Sequence, residues 1–202
     1  MTLAMVDYGA GNLTSVLKAL HFVGADVRVI SRVDGIDGAG ALVIPGVGHF
    51  AATTSLGPEW RSAVMRAIDA GMPTLGICLG MQWLFEGSDE APGAPGLGLI
   101  PGQCFRIEGP VKVPHVGWNT LAATARPARL LDGVDSGASA YFTHSYAAPC
   151  VADTAAVTTH AVPFSCAVER GRVFGVQFHP EKSGKTGLQM LTNFMRVARE
   201  AA

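Results

Sequence analysis

Between Pro73 and Phe85 the sequence passes from a short apolar run into a helix through a cysteine set between two glycines, and few folds accommodate that order. Pro73 to Ile77 reads as a buried strand, and Met81-Gln82-Trp83-Leu84-Phe85 as the first turns of a helix. Gly76 and Gly80 flank Cys78 at even spacing, the cysteine counterpart of the Gly-x-Ser-x-Gly elbow that lifts a nucleophile out of a sheet. Such a turn brings backbone against backbone, where a Cβ is in the way. At the helix start, the macrodipole and unpaired N–H groups favour a thiolate and can hold a developing oxyanion. A cysteine after an apolar run is also commonly just a small buried apolar residue. Cys78 therefore needs a chemical partner elsewhere in the chain.

That partner is in Val173-Phe174-Gly175-Val176-Gln177-Phe178-His179-Pro180-Glu181, a second apolar strand that delivers a histidine and a carboxylate two residues apart. Pro180 pushes His179 toward extended geometry, and in an extended segment residues i and i+2 point to one side. Glu181 is then placed to orient the imidazole, whose other nitrogen faces a cysteine brought from elsewhere. This is the nucleophile, base and orienter logic of a Cys-His-Glu triad. A structural, capping histidine is the competing reading of His179.

The 202 residues suit a single domain, 1–202, with room for a sizeable core. A net charge of −1, a pI near 6.6 and scattered Lys and Arg give no electrostatic case for nucleic acid or an anionic membrane. No apolar run approaches the roughly 20 residues of a membrane span, and Leu3-Ala4-Met5-Val6-Asp7 lacks the form of a signal segment. Cys78, Cys104, Cys150 and Cys166 are widely separated with no C-x-x-C pair, which argues against a zinc site or disulfide framework and fits a reducing cytoplasm. No cofactor and no metal is expected.

Taken in order, Leu3–Asp7 reads as a strand, Leu13–Val23 as a helix stopped by Gly24, Asp26–Ile30 as a strand, and 33–40 as a loop with a short helical piece. The third glycine of a dinucleotide fingerprint is missing after Gly9 and Gly11, so a phosphate site there is disfavoured. A third strand, Ala41–Ile44, ends in Pro45-Gly46-Val47-Gly48, whose N–H groups form a plausible oxyanion or carboxylate cradle. A helix over Pro58–Ala70 follows. Alternation of strand and helix this far predicts a parallel sheet covered on both faces. From Ser88 the texture changes to turn-rich sequence with short strands at 98–100, 103–107, 112–113 and 118–121, read as antiparallel hairpins added to the core. A short helical piece at 128–131, strands at 138–146, 151–160 and 164–169, and a closing helix over Thr186–Arg199 complete the chain.

The elbow Gly76-Ile77-Cys78-Leu79-Gly80-Met81-Gln82, with Gln177-Phe178-His179-Pro180-Glu181 downstream, resembles the class I glutamine amidotransferases. Tyr8-Gly9-Ala10-Gly11-Asn12-Leu13, Pro45 to Phe50, Pro114-His115-Val116-Gly117-Trp118-Asn119, Tyr141-Phe142-Thr143-His144-Ser145-Tyr146 and Glu181-Lys182-Ser183 are similar, within that family, to the glutaminase subunits of imidazole glycerol phosphate synthases. The resemblance implies a flavodoxin-like α/β fold with a mostly parallel central sheet and an added antiparallel region. It implies that Cys78 attacks the glutamine side-chain amide, that His179 transfers the protons and that Glu181 holds His179. The Leu79 N–H, with a second donor from Val47 or Gly48, is expected at the oxyanion. Gly46, Gln82, Glu90, His144, Ser145 and Tyr146 are expected around the rest of glutamine. The expected partner is a (β/α)8-barrel cyclase subunit in a heterodimer, reached by an ammonia channel, with Asn12, Trp118, Asn119 and Lys182 at the interface. Glutaminase components for anthranilate, aminodeoxychorismate, GMP or pyridoxal phosphate synthesis are the alternative. A cysteine peptidase or a non-catalytic subunit explains fewer of these residues.

Overall fold

The computed structural model describes residues 1–201. Its first half alternates β1 (Thr2–Val6), α1 (Leu13–Phe22), β2 (Asp26–Ile30), β3 (Ala41–Ile44), α2 (Pro58–Asp69), β4 (Thr74–Ile77) and α3 (Leu79–Trp83). The second half adds β5 (Gly87–Ser88), β6 (Gln103–Arg106), β7 (His115–Thr120), β8 (Ala122–Ala123), β9 (Ser139–His144), β10 (Tyr146–Ala147), β11 (Thr154–His160), β12 (Val162–Arg170), β13 (Val173–Val176) and α4 (Gly184–Glu200).

Eight strands form the main sheet in the order β2-β1-β3-β4-β13-β12-β11-β8. The first five are parallel, whereas β12, β11 and β8 continue the sheet antiparallel. β3 and β4 are buried along their whole length, because a parallel strand covered on both faces reads as an uninterrupted apolar run. On β1, Leu3 and Met5 join α1 and α4 in one core, while Ala4 and Val6 join α2 in the other. That two-residue alternation is what splits the core into two layers. Leu13, Val16, Leu17 and Leu20 of α1, and Leu188, Leu191 and Met195 of α4, face the first layer as their helical spacing predicts.

Two smaller sheets carry the inserted sequence. β7 and β9 form an antiparallel ribbon in which His115 lies opposite His144 and Trp118 opposite Tyr141. β10, β6 and β5 form a three-stranded sheet in which β5 and β6 run parallel. Sequence and structure part in three places here. Residues 98–100 are no strand: the Leu99 and Ile100 N–H groups both donate to the Leu84 carbonyl at 3.0 Å, so this segment folds under the end of α3 and buries Ile100 by packing. Residues 112–113 form no strand and lead into Pro114, which has no N–H to offer a ladder. The ribbon strand expected at 118 begins at His115, and that shift brings the histidine into the interior.

Among the described residues no helix is long and apolar enough to cross a membrane. The four cysteines are free.

Candidate active site

β3, β4 and β13 are parallel neighbours, so their carboxyl ends open on one edge of the sheet, the place where open α/β sheets put their sites. Each ends in a segment singled out from sequence: Pro45–Gly48, Cys78 and Gln177–Glu181.

Cys78 has φ 54° and ψ −109°, a backbone conformation that L residues rarely adopt, and α3 begins at the next residue. The neighbouring glycines make this possible. A Cβ at Gly80 would overlap the Ile44 carbonyl oxygen, and one at Gly76 would stand 2.6 Å from the Gly80 oxygen. Both obstacles are backbone and cannot swing aside. Gly80→Ala is therefore expected to cost about 3 kcal/mol and to lower Tm by about 10 °C, read by thermal or urea unfolding of the intact chain. An unchanged Tm would show that strand and helix separate more easily than this contact allows.

His179 Nδ1 lies 2.8 Å from Glu181 Oε1, and both side chains are 2% exposed. The pairing is made as expected, though not along an extended strand: Glu181 sits in a 3-10 turn over Pro180–Lys182. The ring is held on its backbone too. The His179 N–H donates to the Tyr141 carbonyl at 2.9 Å, and Ser183 Oγ donates to the His179 carbonyl at 2.6 Å. Burial, the largest single influence, opposes charging this imidazole. The Cys78 sulfur and then the Glu181 carboxylate outweigh it, and the pKa rises to about 9. Nε2 is buried and meets no partner at full hydrogen-bonding geometry, and Cys78 is the neighbour whose interaction with the ring raises its pKa most.

The expected residues do gather. A cleft of about 240 Å³ is lined by Cys78 and Leu79 of the elbow, Val47 and Gly48 from the β3 loop, and Gln82 and Glu90. His144, Ser145 and Tyr146 complete it. This is a small-molecule volume rather than a polypeptide groove. Glu90 Oε2 accepts from the Phe50 N–H at 2.7 Å, which fixes its carboxylate beside the cleft. Gln82 Nε2 donates to the Tyr146 carbonyl at 2.9 Å and to Gln177 Oε1 at 3.0 Å. His144 Nδ1 donates to the Tyr146 carbonyl at 2.8 Å and Nε2 pairs with His115 Nδ1 at 3.0 Å, so neither ring nitrogen is free for a ligand. Gly46, His179, Glu181 and Asn12 border instead a small cavity of about 10 Å³ that also touches Val47.

One expected donor is engaged. The Leu79 N–H donates to the Gly46 carbonyl at 3.2 Å, so the loop presents a carbonyl where an oxyanion would lie. Trp118 is 59% exposed and meets Tyr141 edge-on at 6.1 Å, and the Lys182 ammonium lies 5.8 Å from the same ring. Asn12 is exposed, whereas Asn119 is half-buried with its amide turned inward to Thr159 and His115.

Sequence reasoning passed over three residues. Gln177, fully buried, donates to Cys78 Sγ at 3.7 Å; a lone amide inside the apolar run 173–178 was the available signal. The Tyr8 hydroxyl lies against Gly46, buried with no hydrogen-bond partner, and its pKa is pushed up by burial first and by Cys78 second. His115 stands in a stretch already noted for its motif, yet nothing local pairs it with His144.

The family model for glutamine amidotransferase class-I matches residues 4–198. The chain is 48% identical over 199 residues to the imidazole glycerol phosphate synthase subunit HisH of Deinococcus radiodurans, covering 95% of this chain and 92% of that one. It is 46% identical to the HisH subunit of Thermococcus kodakarensis, covering 96% and 100%. The solved structure of PurLQS from Thermotoga maritima superposes with a TM-score of 0.75 at 18% identity, over 96% of this chain and 97% of that one, a likeness of fold.

Proposed function

Because the chain belongs to the class-I glutamine amidotransferase family, we propose that it is the glutaminase subunit of an imidazole glycerol phosphate synthase, acting in the cytoplasm as one half of a heterodimer. The observation that carries this reading is that Cys78 lines a glutamine-sized cleft at the carboxyl edge of the sheet and is near enough to the adjoining His179–Glu181 pair to raise the His179 pKa. Identity of 46–48% to HisH subunits over nearly the whole chain supports the choice of pathway over other amidotransferases.

In this reading Cys78 Sγ passes its proton to His179 Nε2 and adds to the glutamine side-chain carbonyl. The tetrahedral oxyanion collapses as the C–N bond breaks, and His179 Nε2 gives the leaving nitrogen its proton. The resulting glutamyl thioester is attacked by water, which His179 deprotonates, releasing glutamate and restoring the thiol. Glu90 faces the substrate ammonium. Released in contact with water, ammonia would be protonated and lose its nucleophilicity, so it passes through a channel to a (β/α)8-barrel cyclase subunit. The face that carries Trp118 and Lys182 meets that subunit, with Asn12 nearby.

The Leu79–Gly46 hydrogen bond gives the assembly its control. For the Leu79 N–H to serve an oxyanion, the Gly46 carbonyl must turn away, and the unpartnered Tyr8 hydroxyl beside Gly46 is placed to receive it. The purified chain alone is therefore expected to release glutamate from glutamine slowly. Adding the cyclase subunit with its nucleotide ligand is expected to raise the rate by about 10²-fold or more, the usual worth of one oxyanion donor. Full activity of the isolated chain would sink the partner-gated reading. No activity in either state would sink the glutaminase reading.

A further inference from the structure

A continuous line of hydrogen bonds runs from β7 to the nucleophile, and the chemistry of its members fixes its direction. The His144 Nδ1 faces the Tyr146 carbonyl at 2.8 Å; a carbonyl only accepts, so Nδ1 carries the hydrogen. In the neutral ring Nε2 is then bare. It stands 3.0 Å from His115 Nδ1, which must be the donor. His115 Nε2 is bare in turn and accepts from Asn119 Nδ2 at 3.2 Å. The Asn119 amide cannot be turned over, since Oδ1 accepts from the Thr120 N–H at 2.8 Å while Nδ2 also donates to the Thr159 carbonyl at 3.1 Å. Burial keeps both rings uncharged, lowering the pKa of His144 to about 3 and that of His115 to about 4.

From the other side Gln82 Nε2 donates to the same Tyr146 carbonyl at 2.9 Å and, with its second hydrogen, to Gln177 Oε1 at 3.0 Å. Gln177 Nε2 then reaches Cys78 Sγ at 3.7 Å. The Tyr146 carbonyl is thus the common acceptor on which two donor chains converge, one from Asn119 and His115, the other holding the nucleophile. His115 is clamped in place between Phe142, stacked at 4.8 Å, and His160, stacked at 4.1 Å. So costly a buried polar network persists only when its members are satisfied, and here each donor of the two rings and of Gln82 has its acceptor.

We propose that His115 is a positioning residue for the glutaminase reaction: its Nδ1–H locks His144 in the Nδ1–H form on the Tyr146 carbonyl, and so fixes the Gln82–Gln177 pair that holds Cys78. It touches neither substrate nor sulfur. The proposal rests on the glutaminase reading, and its test separates the two.

The test uses the full chain bound to its cyclase subunit. Nitrogen NMR of histidine-labelled protein at pH 7.5 is expected to show both His115 and His144 in the Nδ1–H form, a tautomer dictated by the partner on the other nitrogen. His115→Phe keeps the stacking but has no donor. It is expected to lower kcat for glutamate release by about 10- to 100-fold with KM within about threefold, the size of effect of a misplaced reacting group. His115→Asn places an amide N–H near the Nδ1 position and is expected to restore kcat to within about threefold of the unmodified chain. Either ring in the Nε2–H form or as imidazolium, an unimpaired Phe variant, or an Asn variant as slow as Phe would each overturn the proposal. If the unmodified complex releases no glutamate, the glutaminase reading falls and this role with it, while the tautomer spectra still decide the direction of the chain.

Discussion

Cys78→Ala is expected to reduce glutamate release in the activated complex by about 10⁴-fold or more, because the covalent route then has no sulfur to carry the glutamyl group. The loss should appear in kcat, since Glu90, Gln82 and the Ser145–Tyr146 wall of the cleft are untouched and glutamine should still bind. The same substitution has a second, physical signature. The folded-state pKa of His179, about 9, stands above its ordinary value of 6.5, so between those values the native chain holds a proton that the unfolded chain has released. The stabilisation from this group is complete below pH 6.5 and disappears as pH rises through 9. Cys78 is one of the two groups that raise the pKa, so Cys78→Ala should shrink that window and flatten the alkaline fall in stability. Cys78→Gly should be equally inactive yet more stable than the Ala variant by about 1 kcal/mol, because glycine accepts a φ of 54° and alanine does not. Activity surviving in Cys78→Ala would remove Cys78 from the mechanism. Equal stability of the Gly and Ala variants would show that the elbow stores no backbone strain.

Parallel strands and chemical motifs were legible in this sequence, because each is written locally. β1, β3 and β4 are short apolar runs ended by glycine-bearing turns, and burial on both faces leaves no other pattern for them. Cys78, His179 and Glu181 carry their own surroundings with them, one in an elbow and two in adjoining positions. Segment 98–100 misled because a few apolar residues bury equally well under a helix as in a ladder, and 112–113 because Pro114 ends any ladder there. That β12 and β11 extend the main sheet is a fact of strand order, which no window of sequence contains. His115 belongs with these: only the antiparallel register, which sets it opposite His144, gives it a partner. The Leu79–Gly46 hydrogen bond is less visible still, because a peptide's orientation changes no residue type.

Glu181→Gln tests the one member of the triad that never meets the substrate. The change keeps size and shape and removes a buried charge, so the fold should survive it. Two effects follow for His179. The carboxylate accepts from Nδ1 at 2.8 Å and thereby leaves Nε2 to face Cys78. An amide offers an N–H as readily as an oxygen, and with the N–H turned inward the ring takes the other tautomer, its proton on the wrong nitrogen. The imidazolium also loses its counter-charge. A carboxylate-to-amide change at the matching place in a serine-protease triad costs on the order of 10⁴-fold, and a fall of about 10³- to 10⁴-fold in kcat is expected here. KM should hardly move, because Glu181 borders the small cavity shared with Asn12 and Gly46 rather than the substrate cleft. The pH dependence discriminates further. Glu181 is among the groups that raise the His179 pKa to about 9, so the alkaline limit of the residual activity should move down from there toward 6.5. Measurement of kcat against pH for both forms of the complex, at saturating glutamine, reads both effects at once. A reduced rate with an unmoved alkaline limit would leave Glu181 orienting the ring without charging it. An unchanged rate would take it out of the triad, and His179 would then have to be oriented by its backbone contacts to Tyr141 and Ser183 alone.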